Sequence, residues 1–337
     1  MPLMPPSSET TVPAPDRYAL VKTWGLRALA VILLCAAGWV IWRQLHHLSW
    51  HELKHAFAAW GPWRIAASVA AVVASYLSLA INEWAGLRWA GARVPPLTTL
   101  LGSFCLNAFA HSLGTAVVVG AAVRLKVYAA HRVTLAEIVK VTAFTNVSFS
   151  LGMAGIAGFG LLATPAWRLH AVHMPLELAR VLGIVFLLAI PAYVILCASV
   201  RGVLSLLGHK FFLPTWKWAL AQVVIGVVDN ILTVLIPWVL LPSGLIGFGP
   251  FTGAFAVATV TGVVSSVPGG AGVFESVLLT LLPHVDRAPL AAAFVGYRLF
   301  YFLIPLGMAG LMLAVMGRGT RQQSESTDHT ESTETEG

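Results

Sequence analysis

The sequence predicts an all-α polytopic membrane protein with about six full spans and two broken re-entrant hairpins. Three observations predict it. Of the 337 residues, 58% are hydrophobic and only 10% charged, whereas a soluble domain carries about 25% charged residues. The apolar residues gather into eight segments, separated by loops that carry Lys and Arg. Two of those segments, 96–123 and 252–283, are punctured by Gly, Pro or polar residues. A lipid-facing helix excludes such interruptions, because broken backbone has no hydrogen-bond partners in hydrocarbon.

Residues 1–23 hold five prolines and several Ser and Thr, the composition of a disordered tail. Arg17, Lys22 and Arg27 then precede the apolar run 28–42, read as a retained first span because no small-x-small cleavage site closes it. Residues 43–63 are amphipathic, and Trp42, Trp50, Trp60 and Trp63 are interfacial anchors in kind. They predict a helix lying on the membrane surface. His47, His51 and His55 recur every four residues there. They read as a polar stripe and not a metal site, since no carboxylate or Cys completes a ligand set.

A second span is expected over 65–82, ending at Glu83, Arg88 and Arg93. The segment 96–123 is interrupted by Asn107, His111, Ser112, Gly114 and Gly120, and Arg124 and Lys126 close it. Spans follow at 138–162, with Gly152, Gly155, Gly158 and Gly160 suited to close helix packing, and at 178–200, where Pro191 predicts a kink. A sixth segment, 216–241, carries Asp229 and Asn230 near its middle. The next stretch is broken by Pro268, Gly269, Gly270 and Gly272, a structural hinge, and Glu275 follows. The half after that hinge is too short to cross a core of about 30 Å. The last span, 289–316, carries Arg298 in its first half, and 318–337 form an acidic tail. The membrane domain is thus 24–317.

The net charge of +7 understates the basic body, since the tail holds Glu325, Asp328, Glu331, Glu334 and Glu336, without which the balance is +12. The Lys and Arg residues lie between apolar segments and not in one patch. This excludes a nucleic-acid face and fits attraction to anionic lipid at the cytoplasmic surface. If both broken segments are re-entrant from opposite sides and both termini are cytoplasmic, fourteen Lys and Arg fall inside and six outside. Simple crossing by every segment scatters them. Opposed broken hairpins are the pattern expected of an inverted repeat that builds a midplane site.

Ionisable groups inside a membrane cost about 2.5–3.5 kcal/mol each and mark function by default. Here they are Asp229, Glu275 and Arg298, with Glu83 and Arg124 near the boundaries. The acids and arginines could pair, Glu275 with Arg298 and Glu83 with Arg124, either to bind a polar substrate or merely to hold the bundle together. Asp229 could equally serve as an interhelical hydrogen-bond acceptor. The three cysteines, Cys35, Cys105 and Cys197, lie in apolar stretches and offer neither a disulfide framework nor metal spacing. The sequence holds no phosphate-binding Gly-rich loop, HExxH or CxxC. Ser265, Ser266, His284 and Asp286 are near in sequence, but nothing arranges them as a triad. No catalytic motif, metal or cofactor is expected.

Several blocks carry a family resemblance. Gly120-Ala-Ala-Val-Arg-Leu-Lys-Val-Tyr128, then Val139-Lys-Val-Thr-Ala-Phe-Thr145 and Gly152, resemble the membrane region of lysylphosphatidylglycerol synthases. Val267-Pro-Gly-Gly-Ala-Gly-Val-Phe-Glu275 matches that family's Pro-Gly-Gly-x-Gly-Val-x-Glu pattern, and Tyr297-Arg-Leu-Phe-Tyr-Phe-Leu-Ile-Pro305 resembles its last-span signature. The blocks extend over about 80–315. Glu83 departs from the family, which more often has Asp there. The resemblance implies a flippase-type domain that moves aminoacylated phosphatidylglycerol between leaflets of the bacterial inner membrane. The family's embedded charges fall on Glu83, Arg124, Asp229, Glu275 and Arg298, so the expected substrate-binding set has Arg124 and Arg298 on the headgroup phosphate, and Glu275, Asp229 and Glu83 on a cationic headgroup or a relayed proton. The sequence stops after the last apolar segment, so lipid handling without lipid synthesis is expected. The implied partner is a phospholipid headgroup, alongside a second copy of the chain or a separate lipid-modifying enzyme. The alternative functions are a membrane scaffold for a separate lipid- or glycan-modifying enzyme, or a lipid-modifying enzyme in its own right.

Overall fold

The computed structural model describes residues 50–113, 116–171, 173–200, 203–206, 209–265 and 267–312. The expected first span at 28–42, both tails, Cys35 and His47 lie outside the described residues. Within them, five helices are long and apolar enough to cross a membrane: Pro62–Ala90 (α2), Leu135–Ala163 (α5), Leu176–Ser199 (α7), Trp216–Trp238 (α8) and Arg287–Met312 (α11). The chain is an all-α polytopic membrane protein.

The remaining helices are Trp50–Ala58 (α1), Pro96–Leu113 (α3), Ala116–Val127 (α4), Ala166–Ala171 (α6), Phe248–Val264 (α9) and Val273–Leu281 (α10). Helices α3 and α4 pack on each other, as do α9 and α10. Each punctured segment therefore contains two helices packed on each other. Helix α11 is not uniform. It is α-helical over Arg287–Tyr297 and makes a π turn over Arg298–Leu303 before continuing.

Local sequence signals set several ends. Pro62 opens α2, where its missing N–H costs nothing, and Gly91 closes it in the left-handed region at φ 96°. Thr134 and Glu137 form a capping box at the start of α5. The Glu137 carboxylate accepts from the Thr134 amide at 2.7 Å, and the Thr134 hydroxyl accepts from the Glu137 amide at 3.3 Å.

The bundle turns its polar residues inward. Ser68, Ser75, Asn82, Glu83, Arg124, Gln222, Asp229 and Arg298 are buried, while Leu, Ile and Val side chains dominate the exposed surface. Lipid is as apolar as a protein core, so hydrophobic burial does not select the inner face and polar contacts do. Helix α7 is an outer wall, with only Ala179, Gly183 and Cys197 buried. Small residues bring α5 against α8. A Cβ on Gly152 would strike the Gly226 carbonyl, and one on Gly226 would strike the Ser148 carbonyl. Gly158 and Gly160 do the same against Gly183 and Gly253.

Three expectations need correction. The surface helix expected over 43–63 is, among described residues, only the nine residues of α1. Trp60 is no interfacial anchor. It is 7% exposed and packs edge-on against Phe57 with ring centroids 4.7 Å apart, beneath Gly296. Helix α2 runs past Glu83 to Ala90, because Arg124 cancels the Glu83 charge and the boundary need not fall there. Arg124 and Lys126 fall in the last turn of α4, which ends at Val127, as expected of the residues that close this segment. An antiparallel pair of strands, Val203–Leu206 (β1) and His209–Phe212 (β2), connects α7 to α8, with Val203 opposite Phe212.

Candidate functional site

The break between α9 and α10 is built from glycine. After Val264 the chain makes a 3-10 turn over Pro268–Gly270, with Gly269 at φ 60°, Gly270 at 62° and Gly272 at 81°. These left-handed conformations admit glycine readily and most other residues only with strain. Gly272 then opens α10, and Glu275 Oε2 accepts its amide at 2.8 Å, satisfying a helix-start donor that hydrocarbon would leave bare. Ala at Gly269 or Gly272 is expected to cost about 1–2 kcal/mol each. Thermal unfolding in detergent measures this, and an unchanged midpoint would mean that the turn does not need its left-handed residues.

Arg298, at the start of the π turn, ties this break to α11. Its Nε donates to Glu275 Oε1 at 2.9 Å, its Nη2 lies 2.8 Å from the same oxygen, and its Nη1 donates to the Gly269 carbonyl. Phe302 and Phe274 face the guanidinium at 4.7 and 5.5 Å. The Nη2 contact has ion-pair distance without hydrogen-bond alignment, so this buried nitrogen has no hydrogen-bond partner among the described residues. Gly269 also lies against α3. A Cβ built on it would sit 3.6 Å from the carbonyls of His111 and Ser112, in the last turn of α3. The turn between α9 and α10 thus packs against the last turn of α3.

A second ion pair pins α4 to α2. Arg124 Nε donates to Glu83 Oε1 at 2.9 Å and its Nη2 to Oε2 at 2.6 Å, a two-pronged arrangement. Thr142 of α5 accepts from the remaining Nη1 at 2.9 Å, Thr145 accepts a second bond from Nη2 at 3.3 Å, and Tyr128 donates to Glu83 Oε1 at 3.2 Å. Both side chains are buried. The two pairs follow one plan with the charges exchanged. In each, the second helix of a punctured segment carries one charge and a neighbouring span carries the other.

Asp229 stands apart from both. Among the described residues it has no ion-pair partner, and its one side-chain hydrogen bond comes from Ser75 Oγ of α2 at 2.7 Å. Asn230 turns the other way and donates to the carbonyls of Gly226 and Phe149 at 2.8 and 3.4 Å. Around Asp229 lie residues that sequence reasoning did not single out as site candidates. Tyr301 stacks on His111 with centroids 5.0 Å apart, and Tyr76 donates to the Tyr301 carbonyl at 3.1 Å. His111 Nδ1 is buried without a partner among the described residues. One signal was available: Ser68, Ser75 and Asn82 are seven apart, a stripe on one face of α2. Ser68 and Ser75 of that stripe bond to α8, at the Ile236 carbonyl and Asp229.

No family model matches the chain. It is 30% identical over 297 residues to slr0712, an uncharacterized protein of Synechocystis, covering 84% of this chain and 90% of that one. The chain belongs to the slr0712 family. It is also 28% identical over 319 residues to the inner membrane protein YbhN of Escherichia coli, covering 92% and 98% of the two chains. A phosphatidylglycerol lysyltransferase of Staphylococcus xylosus is 23% identical over 305 residues, which are 88% of this chain but 34% of the enzyme. The slr0712 family is thus related along its length to an inner membrane protein, and over about a third of their length to lysyltransferases. The resemblance read from the Pro-Gly-Gly and Tyr-Arg blocks has its counterpart in that partial likeness. At 23% identity over 34% of that enzyme, the relation is partial and does not establish membership of the synthase family.

Proposed function

We propose that the chain is a bacterial inner-membrane lipid translocase of the flippase type. It would move a phospholipid such as an aminoacylated phosphatidylglycerol between leaflets. One observation carries the reading: the turn between α9 and α10 meets α3 at Gly269, beside Arg298, whose buried Nη2 has no aligned hydrogen-bond acceptor among the described residues. In this reading both pairs are re-entrant, α3 and α4 from the cytoplasm and α9 and α10 from outside, with both termini cytoplasmic as the positive-inside rule favours. The spare guanidinium donor and the glycine backbone meet the headgroup phosphate. Glu275 faces a cationic headgroup, Asp229 is left for a coupling ion, and Glu83 and Arg124 hold the first pair in place. The relation to the staphylococcal lysyltransferase supports the lipid class, and the relation to YbhN supports the membrane.

Leaflet-resolved labelling of aminoacylated phosphatidylglycerol in reconstituted vesicles tests the reading. Glu275→Gln and Arg298→Ala are each expected to slow exchange between leaflets by roughly tenfold or more, the equivalent of about 1.4 kcal/mol in the barrier. Unchanged exchange in both variants would remove these residues from the site. A wild type that moves no lipid favours the second reading, a membrane scaffold for a separate modifying enzyme. That reading draws on the same partial coverage, since two thirds of the lysyltransferase have no counterpart in this chain.

A further inference from the structure

Three hydroxyls from three different spans surround the approach to Asp229. Ser75 Oγ lies 3.4 Å from the Tyr301 phenol oxygen and 3.5 Å from Thr233 Oγ1, and Thr233 Oγ1 lies 3.5 Å from the Tyr301 oxygen. They form a nearly equilateral triangle. Its edges are long for hydroxyl hydrogen bonds, which centre on about 2.7–2.8 Å. They have instead the spacing of adjacent ligands in an octahedron, where the edge is the bond length times the square root of two. Edges of this length correspond to metal–oxygen bonds of about 2.4 Å, whereas magnesium's 2.0–2.1 Å would draw them in to about 2.9 Å.

Two of the three hydrogens are already committed. Ser75 donates to Asp229 Oδ1 at 2.7 Å, and Thr233 donates to the Asp229 backbone carbonyl at 2.9 Å. A hydroxyl has one hydrogen and two lone pairs, so the triangle offers mostly lone pairs. Asp229 is only 7% exposed, and its Oδ2 has no hydrogen-bond donor among the described residues. One carboxylate supplies one negative charge. Calcium shares the bond length but takes six to eight oxygens with several carboxylates, and a divalent ion here would leave uncompensated charge in hydrocarbon.

Both flanking helices are irregular at this level. Tyr301 lies within the π turn of α11, and such turns gather at functional sites. Pro237 of α8 has no N–H to give the Thr233 carbonyl one turn before it. Carbonyls released from broken helices are what coordinate sodium in secondary transporters.

We propose that Asp229, Ser75, Thr233 and Tyr301 form a binding site for a sodium ion, which couples to the lipid movement proposed above. The binding rests on these four residues alone, and only the coupling role rests on the translocase reading. Purified protein in detergent, with no lipid cargo, is incubated with radiolabelled sodium against choline at constant ionic strength, and its unfolding temperature is followed in parallel. The wild type is expected to retain one sodium per chain, saturably, and to unfold at a higher temperature in sodium than in choline. Asp229→Asn is expected to abolish retention, and Thr233→Val to weaken it by about tenfold, with both variants eluting as a single folded peak. Absence of saturable retention by the folded wild type would overturn the proposal. So would retention unchanged in both variants, or an unfolding temperature that responds to pH and not to sodium, which would make Asp229 a proton carrier. Vesicles that bind sodium but exchange lipid equally in sodium and choline would refute the coupling and leave the site.

Discussion

Arg124→Ala is expected to destabilise the protein by about 3–5 kcal/mol, because it strands a carboxylate deep in the bundle. Glu83 is 1% exposed, and its two strongest bonds, at 2.9 and 2.6 Å, both come from Arg124. Tyr128 alone cannot replace them. A loss of that size is a large share of the 5–15 kcal/mol typical of a folded domain. Glu83→Ala should do comparable harm from the other side, leaving the guanidinium with only the Thr142 and Thr145 hydroxyls. Removing both charges, as Glu83→Leu with Arg124→Met, is expected to recover most of the loss, since a buried pair contributes little beyond its own desolvation cost. A double-mutant cycle read by thermal unfolding in detergent measures this. Single variants that unfold like the wild type would show that the pair does not hold α4 to α2. The double variant also separates roles, because a structural pin can be replaced by apolar packing and a headgroup ligand cannot.

Gly226→Ala is the second large effect, expected to cost about 3 kcal/mol by forcing α5 and α8 apart. The added Cβ would meet the Ser148 carbonyl, and a backbone atom cannot rotate away as a side chain can. The same displacement would disturb the Ser148 hydroxyl bond to the Gln222 carbonyl at 2.8 Å and the Asn230 bond to the Phe149 carbonyl. Gly307→Ala is the control. Nothing lies within 4 Å of its would-be Cβ, so it should be neutral or stabilise by about 0.5–1 kcal/mol through helix propensity. If both variants shift the unfolding midpoint equally, close approach at Gly226 is not what holds these helices.

The embedded charges were legible because each is expensive. Glu83, Arg124, Asp229, Glu275 and Arg298 stand out in apolar surroundings, and the glycines at 269, 270 and 272 announce a break by their types alone. The hydroxyls were barely legible, Ser75 only through its seven-residue spacing from Ser68 and Asn82. Ser75, Thr233 and Tyr301 lie 154 and 68 residues from their partners in the chain and are individually unremarkable in a membrane helix. Ser and Thr can satisfy themselves on their own helix, as Thr233 does at the Asp229 carbonyl. Their types therefore do not reveal which of them face a neighbour. The Trp60 error has a related cause. A Trp near a membrane boundary serves equally as an anchor or as core, and Gly296, 236 residues later, provides the space that decides.

By itself the sequence determined that the chain enters a membrane, roughly where its helices lie, and which two segments are punctured. Those properties are local: hydropathy sums over about twenty consecutive residues, and proline and glycine act on the backbone where they stand. Tertiary structure alone decided which faces turn inward, that Arg124 meets Glu83 and Arg298 meets Glu275, and that Asp229 is left to a triangle of hydroxyls. In lipid the outside of the protein is as apolar as its inside. No hydrophobic pattern distinguishes the two, and only the polar contacts across the assembled bundle do.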